Sequence, residues 1–395
     1  MKAIICGAGI AGLTLAWWLE RAGWDVIIVE RAPGPRAAGY MMDFYGSGYD
    51  VAELMGLLPE LEAIHHAIPE LAYVDRDGGR VAGISYATFS RIQRGRLRNV
   101  MRGDLERMLL TALPPAVEIR YGRSIDAVEL HDEHVAVLLT DGARERADLL
   151  VGADGIHSRV RRLVFGAEQR FVRELGAHTA AYIFADGALR DSLEGRFKMI
   201  SAPGREAGFY PLPAGQVAAF FVHRASDAAL PESPRAELAR VYGDLGWTVP
   251  AALRHCPESI YYDRVAQVEM PHWSQGRVVL VGDACQAVSL LAGQGASMAM
   301  GGAYVLAQML AERTTVERAL ARYEARMKPA IGRKQAIGRR TANWIVPRRQ
   351  WHITLRNTLL QLGEMPGLAW MLRPVLSAGS ESVVGPGGRP AALGT

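Results

Sequence analysis

The segment Gly7-Ala8-Gly9-Ile10-Ala11-Gly12 decides the fold. It follows an apolar run, Lys2–Cys6, that reads as a buried parallel strand, and it opens helical spacing over 10–22. A second apolar run, Asp25–Glu30, ends on an acid. That is a strand–helix–strand unit inside the first thirty residues. Glycines at this spacing allow a tight turn and let a pyrophosphate approach the helix N-terminus. Glu30 lies about 20 residues past the turn, where a ribose hydroxyl needs an acceptor. A turn that needs glycine for packing alone is the competing reading. One dinucleotide site is expected, around Gly7, Ala8, Gly9, Ile10, Ala11, Gly12, Glu30 and Arg31. Gly385-Pro386-Gly387-Gly388 lies between no strand and helix and does not make a second.

The 395 residues around this unit correspond to about two to three domains at roughly 150 residues each. With 49% hydrophobic and 22% charged residues, the chain is an ordinary globular one, neither disordered nor fibrous. Lys+Arg 45 against Asp+Glu 41 leaves +4, too little for an obligate nucleic-acid binder. Cys6, Cys256 and Cys285 lie far apart, with no C-x-x-C, so neither a disulfide framework nor a zinc knuckle is expected. A cytoplasmic setting suits them. Lys2 ahead of an apolar stretch to Leu19 resembles a signal peptide in composition. The spaced glycines and the closing Glu20-Arg21 favour the strand–helix reading instead. No other run of about 18 apolar residues occurs, so no membrane span is expected.

Alternation around Asp77-Gly78-Gly79 gives a hairpin from 71–75 and 80–85. Spacing predicts a helix over 99–113, strands over 117–121, 124–131 and 134–140, and a short strand Leu149–Gly152 before a helix from Ser158. Strands over 178–185, 196–201, 208–212 and 217–223 then read as an antiparallel sheet. Helices follow at Pro234–Tyr242 and 250–254, a strand at 277–281, and helices at 294–311 and 316–343. The fold class is α/β: a Rossmann-type domain interleaved with an antiparallel-sheet domain, plus C-terminal helices. The expected division is 1–70, 96–168 and 271–343 for the dinucleotide domain and 71–95 with 169–270 for the second. Residues 344–376 form a C-terminal helical segment. Trp344, Trp351, Leu355, Leu359, Leu360 and Trp370 suit a helix over the domain junction, or one on a membrane surface. Residues 377–395, rich in Gly, Pro and Ser, read as a disordered tail.

Two further glycine–acid turns follow strands. One is Gly152-Ala153-Asp154-Gly155-Ile156-His157-Ser158-Arg159-Val160-Arg161. The other is Gly282-Asp283-Ala284, followed by Gly293-Gln294-Gly295. Alone, each could be a capped helix start. In this order they make the chain resemble the single-component FAD-dependent aromatic monooxygenases of the para-hydroxybenzoate hydroxylase fold. Gly7–Gly12 with Glu30 is similar to that family's dinucleotide fingerprint, Gly152–Arg161 to its DG motif and Gly282-Asp283 to its GD motif. Arg102, in Met101-Arg102-Gly103-Asp104-Leu105, is similar to a flavin-contacting arginine. The likeness covers about residues 1–323. Gly39, Gly46-Ser47-Gly48 and Met55-Gly56-Leu57 are similar to the tetracycline-inactivating oxygenases. The chain departs from the family after the GD motif: Cys285-Gln286 and Ser289-Leu290 replace a histidine and prolines near the flavin's reactive edge.

The resemblance implies non-covalent FAD in the one dinucleotide site, with NAD(P)H as a visiting co-substrate. It also implies oxygen transfer from a flavin C4a-hydroperoxide to an aromatic or polyketide-type ring. Asp154, Arg102, Asp283, Gly293, Gly295, Ala296 and Ser297 join the cofactor-binding set on this ground. Lining residues for the substrate are sought in 40–45, on one face of 217–223 and at Tyr210-Pro211. Met42, Tyr210, Phe221 and His223 are the candidates, and Arg224 is the one cation placed to meet a small carboxylate. No side chain is assigned as catalytic; Tyr210 and His223 are considered for phenol deprotonation. A reductase of the same fold and a non-enzymatic flavin-binding module are the alternatives, and a monomer or homodimer is expected. No metal is expected: His131 and His134 fall on a turn without further ligands. His65-His66 reads as surface, Cys285 as packing, and Arg91, Arg94, Arg96 and Arg98 as a solvated basic loop or a phosphate site.

Overall fold

The computed structural model describes residues 1–35, 40–225, 229–289, 293–365, 368 and 381–384, without the side chains of 340–343 and 345. Lys2–Cys6 lies in the middle of a six-stranded sheet, between Asp25–Glu30 and Leu149–Gly152, and pairs in parallel with both. Glu118–Tyr121 extends one side, and Val278–Leu280 with Ser274–Gln275 extends the other. These strands are near-continuous apolar runs because helices cover the sheet. The helix Ile10–Arg21 is buried along Ile10–Leu19 and packs on the helix Gly295–Ala311, where Trp18 meets Tyr304 edge-on at 5.0 Å. A three-stranded antiparallel sheet, Ile125–Leu130, Val135–Leu139 and Arg144–Ala147, stands beside it.

The second large sheet has seven strands, in the order Tyr261–Val268, Val172–Ala185, Gln216–Arg224, Arg205–Pro211, Phe197–Ala202, Glu70–Val74 and Arg80–Ser85. All neighbours are antiparallel except Phe197–Ala202 and Glu70–Val74. The hairpin near the start of the chain thus closes a sheet built mostly more than a hundred residues later. Side chains alternate across this sheet. One face carries Val217, Ala219, Phe221, Phe209 and Tyr182 into a core beneath the helices Pro234–Tyr242 and Val249–Arg254. The other faces the six-stranded half of the molecule.

Several elements differ from the sequence expectation. The helix expected from 99 starts at Arg102; Asn99–Met101 ends a strand, Leu97–Met101, that pairs with Met41–Tyr45. The pairing is long-range and overrides a helical spacing that continues smoothly across the junction. The Gln350–Glu364 helix does not cover the domain junction: it packs on Arg80–Ser85 and Phe197–Ala202, with Leu360 against Ala82 and Ile84. The helix Val316–Ile345 takes that place, Gln335 donating to the carbonyls of Val268 and Ala287. Trp351, Leu355, Leu362 and Met365 face outward; Trp370 lies outside the described residues. Most of the expected disordered tail also lies outside them, but Glu381–Val384 does not fit that expectation. Val383 N–H donates to Ser47 Oγ at 3.0 Å, and its side chain fills the space left by Gly301. Among the described residues no helix is long and apolar enough to cross a membrane.

Candidate functional site

The glycine turn forms one end of a groove of about 560 Å³. Gly7 has φ +112°, and a Cβ there would sit 2.5 Å from the Ala153 carbonyl oxygen. A Cβ on Gly12 would collide with the Gly7 carbonyl. Gly9 differs: its Cβ would meet only Glu106 Oε1, at 3.8 Å, and would otherwise intrude on the open groove. The first and third glycines therefore let the turn close, and the second keeps the groove clear for a backbone-hugging ligand. No side chain caps the helix Ile10–Arg21 at Gly9, so its first turn presents N–H groups at the groove end. Six arginines against three acids line the groove, Arg31, Arg102, Arg107, Arg123, Arg159 and Arg162 against Glu30, Glu106 and Asp154, which suits a diphosphate.

Gly7, Ala8, Gly9, Glu30, Arg31, Arg102 and Asp154 line this groove, while Ile10, Ala11 and Gly12 sit inside the helix packing. Ala11 meets the turn at Gly282, where a Cβ would come within 2.7 Å. Glu30 accepts from Ala8 N–H at 2.8 Å and Ala32 N–H at 2.7 Å, which fixes the acid at the groove wall. Asp154 caps the helix Arg159–Val164, accepting from Arg159 N–H at 2.6 Å and Val160 N–H at 3.1 Å. From the same turn, fully buried Arg161 donates to Ala284 O at 2.9 Å and Ile156 O at 2.6 Å. It ties the two glycine–acid turns together.

A chamber of about 340 Å³ opens between this half and the seven-stranded sheet. Ile156 lines both cavities. Asp283, Gly293, Gly295 and Ala296 form one wall, with no side chain capping the Gly295–Ala311 helix. Asp283 opens on this chamber; burial pushes its carboxyl up, and Arg102 opposes that. Tyr40, whose phenol burial pushes up to about 12, meets the Tyr261 ring at a tilt, 5.8 Å between centroids. Met42, Tyr210 and Phe220 line the chamber.

Phe221 and His223 do not line it. Strand alternation sends both to the opposite face, Phe221 onto Tyr242 at 4.9 Å and His223 Nδ1 to Tyr242 Oη at 3.2 Å. Burial lowers His223 to about 4, so it is neutral there and remote from the chamber. Ser297 also turns away, its hydroxyl donating to Tyr45 O at 2.7 Å. Arg224 donates to Val346 O at 3.1 Å and does not line the chamber. Gly39 and Leu290 lie outside the described residues. The basic run divides: Arg91 and Arg94 are exposed, Arg94 on the turn after the helix Tyr86–Ile92, while Arg96 pairs with Asp50 and Arg98 with Glu62. His65 is half-buried, with Asn99 N–H donating to its Nδ1 at 3.1 Å, rather than on the surface. His131 and His134 stack at 4.2 Å on an exposed turn, and Cys285 is fully buried as packing.

The sequence reading missed Leu71, Tyr73, Tyr86, Phe197, Met199 and Glu206, and Tyr261 and Asp263 on the strand Tyr261–Val268. Register identifies the strand residues among them: Tyr73 faces Met199, Ser201 faces Glu206, and these project from one side of the sheet, while Tyr86 comes from the helix Tyr86–Ile92. In the sequence, only the alternation of each short strand hinted at them.

Comparison with known proteins is consistent with this geometry. The family model described as FAD binding domain matches residues 1–334. An uncharacterized protein of Mycobacterium tuberculosis (strain H37Rv) is 35% identical over 84% of this chain and 91% of its own. A protein named flavin-dependent monooxygenase, from an unknown prokaryotic organism, is 31% identical over 85% and 88%. Klebsiella pneumoniae HpxO complexed with FAD and uric acid superposes with a TM-score of 0.79 at 25% identity, covering 96% of this chain and 97% of that one. The tetracycline destructase Tet(51) gives 0.77 at 27%, covering 91% and 96%.

Proposed function

The chain belongs to the FAD-binding domain family and is an FAD-dependent monooxygenase, and we propose that it uses NAD(P)H and O₂ to hydroxylate a bulky, largely planar ring. One observation supports this reading above all: an arginine-rich groove adjoins an aromatic-walled chamber at Ile156, with Arg102 on the groove acting on Asp283 in the chamber. The residues fit FAD. Gly9 leaves the groove clear, the helix start at Ile10 and Arg102 suit the diphosphate, and Glu30 suits a ribose. Asp283 and the start of the Gly295–Ala311 helix suit the ring-bearing half. Bound FAD, once reduced, supplies the electrons that activate O₂ for insertion at a ring carbon. The chain's part is to position the substrate and exclude water. In this reading 1–70, 96–168 and 271–343 hold the cofactor, and 71–95 with 169–270 hold the substrate.

Tyr73, Phe197, Met199, Tyr210 and Phe220 give the chamber an apolar roof suited to flat rings. Its arginine, Arg264, is already paired with Glu174 at 2.6 Å, so a small benzoate finds no unpaired cation among the described lining residues. The relatives agree: tetracycline and uric acid are both fused-ring molecules. The test is coupled turnover. Polycyclic phenols should stimulate NAD(P)H consumption with O₂ uptake and yield hydroxylated product. Tightly coupled hydroxylation of simple hydroxybenzoates, with polycyclic phenols inert, would sink the large-ring reading. Cofactor oxidation without O₂ dependence would indicate a reductase.

A further inference from the structure

Asp43 stands in the chamber wall with half of its carboxylate already held. Its Oδ1 accepts from Tyr86 Oη at 3.0 Å and from Asn99 Nδ2 at 2.6 Å. Among the described residues its Oδ2 has no hydrogen-bond partner, it is not sealed in, and Asp43 and Tyr86 both line the chamber. The strand Met41–Tyr45 explains the aim. Met41, Asp43 and Tyr45 share one face, turned to Tyr86, Phe89 and Tyr210, while Met42 and Phe44 face the other core.

Among the described residues, the titratable groups facing Asp43 are Tyr45 on its own strand and Tyr86 on the helix Tyr86–Ile92, with Tyr210 of the strand Arg205–Pro211 acting on Tyr86 in turn. Asn99 reaches it from Leu97–Met101. No lysine, arginine or histidine is among its described partners. Burial therefore dominates and pushes the carboxyl up to about 6, against the pull of Tyr86 and Asn99. A base in that range is deprotonated at neutral pH yet able to take a proton.

We propose that Asp43 is the general base that takes the proton from a ring hydroxyl of the substrate, with Tyr86 and Asn99 as positioning residues. This rests on the ring-hydroxylation reading above. The phenolic O–H bond breaks, the proton passes to Oδ2, and the electron pair stays on the phenol oxygen. No electrons are exchanged in the step. The resulting phenolate enriches the ring toward electrophilic oxygen, and the proton returns to the product's oxygen before release. Tyr86 and Asn99, both donating to Oδ1, keep Oδ2 free and aimed.

The experiment uses the holoenzyme and a hydroxylated anthraquinone, with its O-methyl ether as control. Flavin content, ligand-induced change in the flavin spectrum, and the pH profile of stimulated NAD(P)H oxidation are measured from pH 5 to 8.5. The wild type should lose kcat/KM below about pH 6. Asp43→Asn should keep its flavin, bind the phenol within about tenfold, turn over roughly a hundred- to ten-thousandfold more slowly, and lose the acid limb. Tyr86→Phe keeps the answer available should the first variant not fold. Removing a hydrogen bond to the charged form raises the carboxyl, so its acid limb should move to higher pH. An unchanged acid limb in either variant overturns the proposal, as does an Asp43→Asn protein that folds but purifies without flavin. If no ring phenol perturbs or stimulates the wild type, the ring-hydroxylation reading fails and the base fails with it.

Discussion

Asp283 and Cys285 stand two residues apart and do different work. Asp283 opens on the chamber, while the Cys285 thiol is fully buried and pushed up by that burial. If Asp283 accepts a hydrogen bond from the cofactor, Asp283→Ala loses a charge-assisted bond worth roughly 1.5–3 kcal/mol, about ten- to a hundredfold in FAD affinity. Cys285→Ala should leave FAD affinity nearly unchanged. Fluorescence titration of the apoproteins with FAD decides it, and equal dissociation constants would refute the assignment. Asp283 stood out in the sequence through the order of the glycine–acid turns and the family resemblance that order carries, since an acid after glycine is by itself as well suited to capping a helix. Phe221 was misjudged for an equally physical reason. Alternation says that Phe220 and Phe221 face opposite sides, but only the helices packed beneath the sheet decide which side is core.

At the scale of elements, the strongly periodic ones were readable: Ile10–Arg21, Asp25–Glu30, Pro234–Tyr242 and the alternating hairpin Glu70–Val74 with Arg80–Ser85. Met41–Tyr45 and Tyr261–Val268 were not, because their partners lie far along the chain. The docking of Gln350–Glu364 belongs with them. Arg356 on this helix is 1% exposed, donates to Ser201 Oγ at 2.8 Å, lies 3.9 Å over the Tyr73 ring and pairs with Glu206, itself wholly buried. Nothing near Arg356 in sequence announces a carboxylate 150 residues earlier. Arg356→Met should therefore destabilise by about 3–5 kcal/mol, because Glu206 is left charged and unpaired in the sheet. The double variant Glu206→Leu/Arg356→Met should regain most of that. Denaturant unfolding of the three proteins is the check; a double variant no more stable than the single one would mean that the pair is not the docking contact.

At the scale of the whole molecule, the interleaving was foreseeable from a chain that leaves one strand pattern and returns to it, but the latch between the halves was not. His157 rises from the turn after Asp154 beside the groove. It brackets Glu168, Nδ1 to Oε1 at 3.1 Å, and Asp263, Nε2 to either oxygen at 3.2 Å. Asp263 belongs to the seven-stranded sheet and lines the chamber, so one imidazole joins the two halves at the mouth between cavities. The Asp263 hydrogen bond chiefly raises its pKa above the usual 6.5, with Glu168 adding to it and partial burial opposing. A histidine whose folded pKa is raised contributes stability that is fully present below the unfolded value, about 6.5, and is lost as pH climbs through the folded value. The side chain is 47% exposed, so solvent and salt weaken the pair. His157→Asn should therefore lower Tm most at pH 6 and progressively less toward pH 8.5, and the pH 6 difference should shrink in high salt. Thermal unfolding of both proteins across that range is the measurement. A Tm difference that is constant with pH would mean that His157 holds the halves together by packing and neutral hydrogen bonds, with no contribution from its charge.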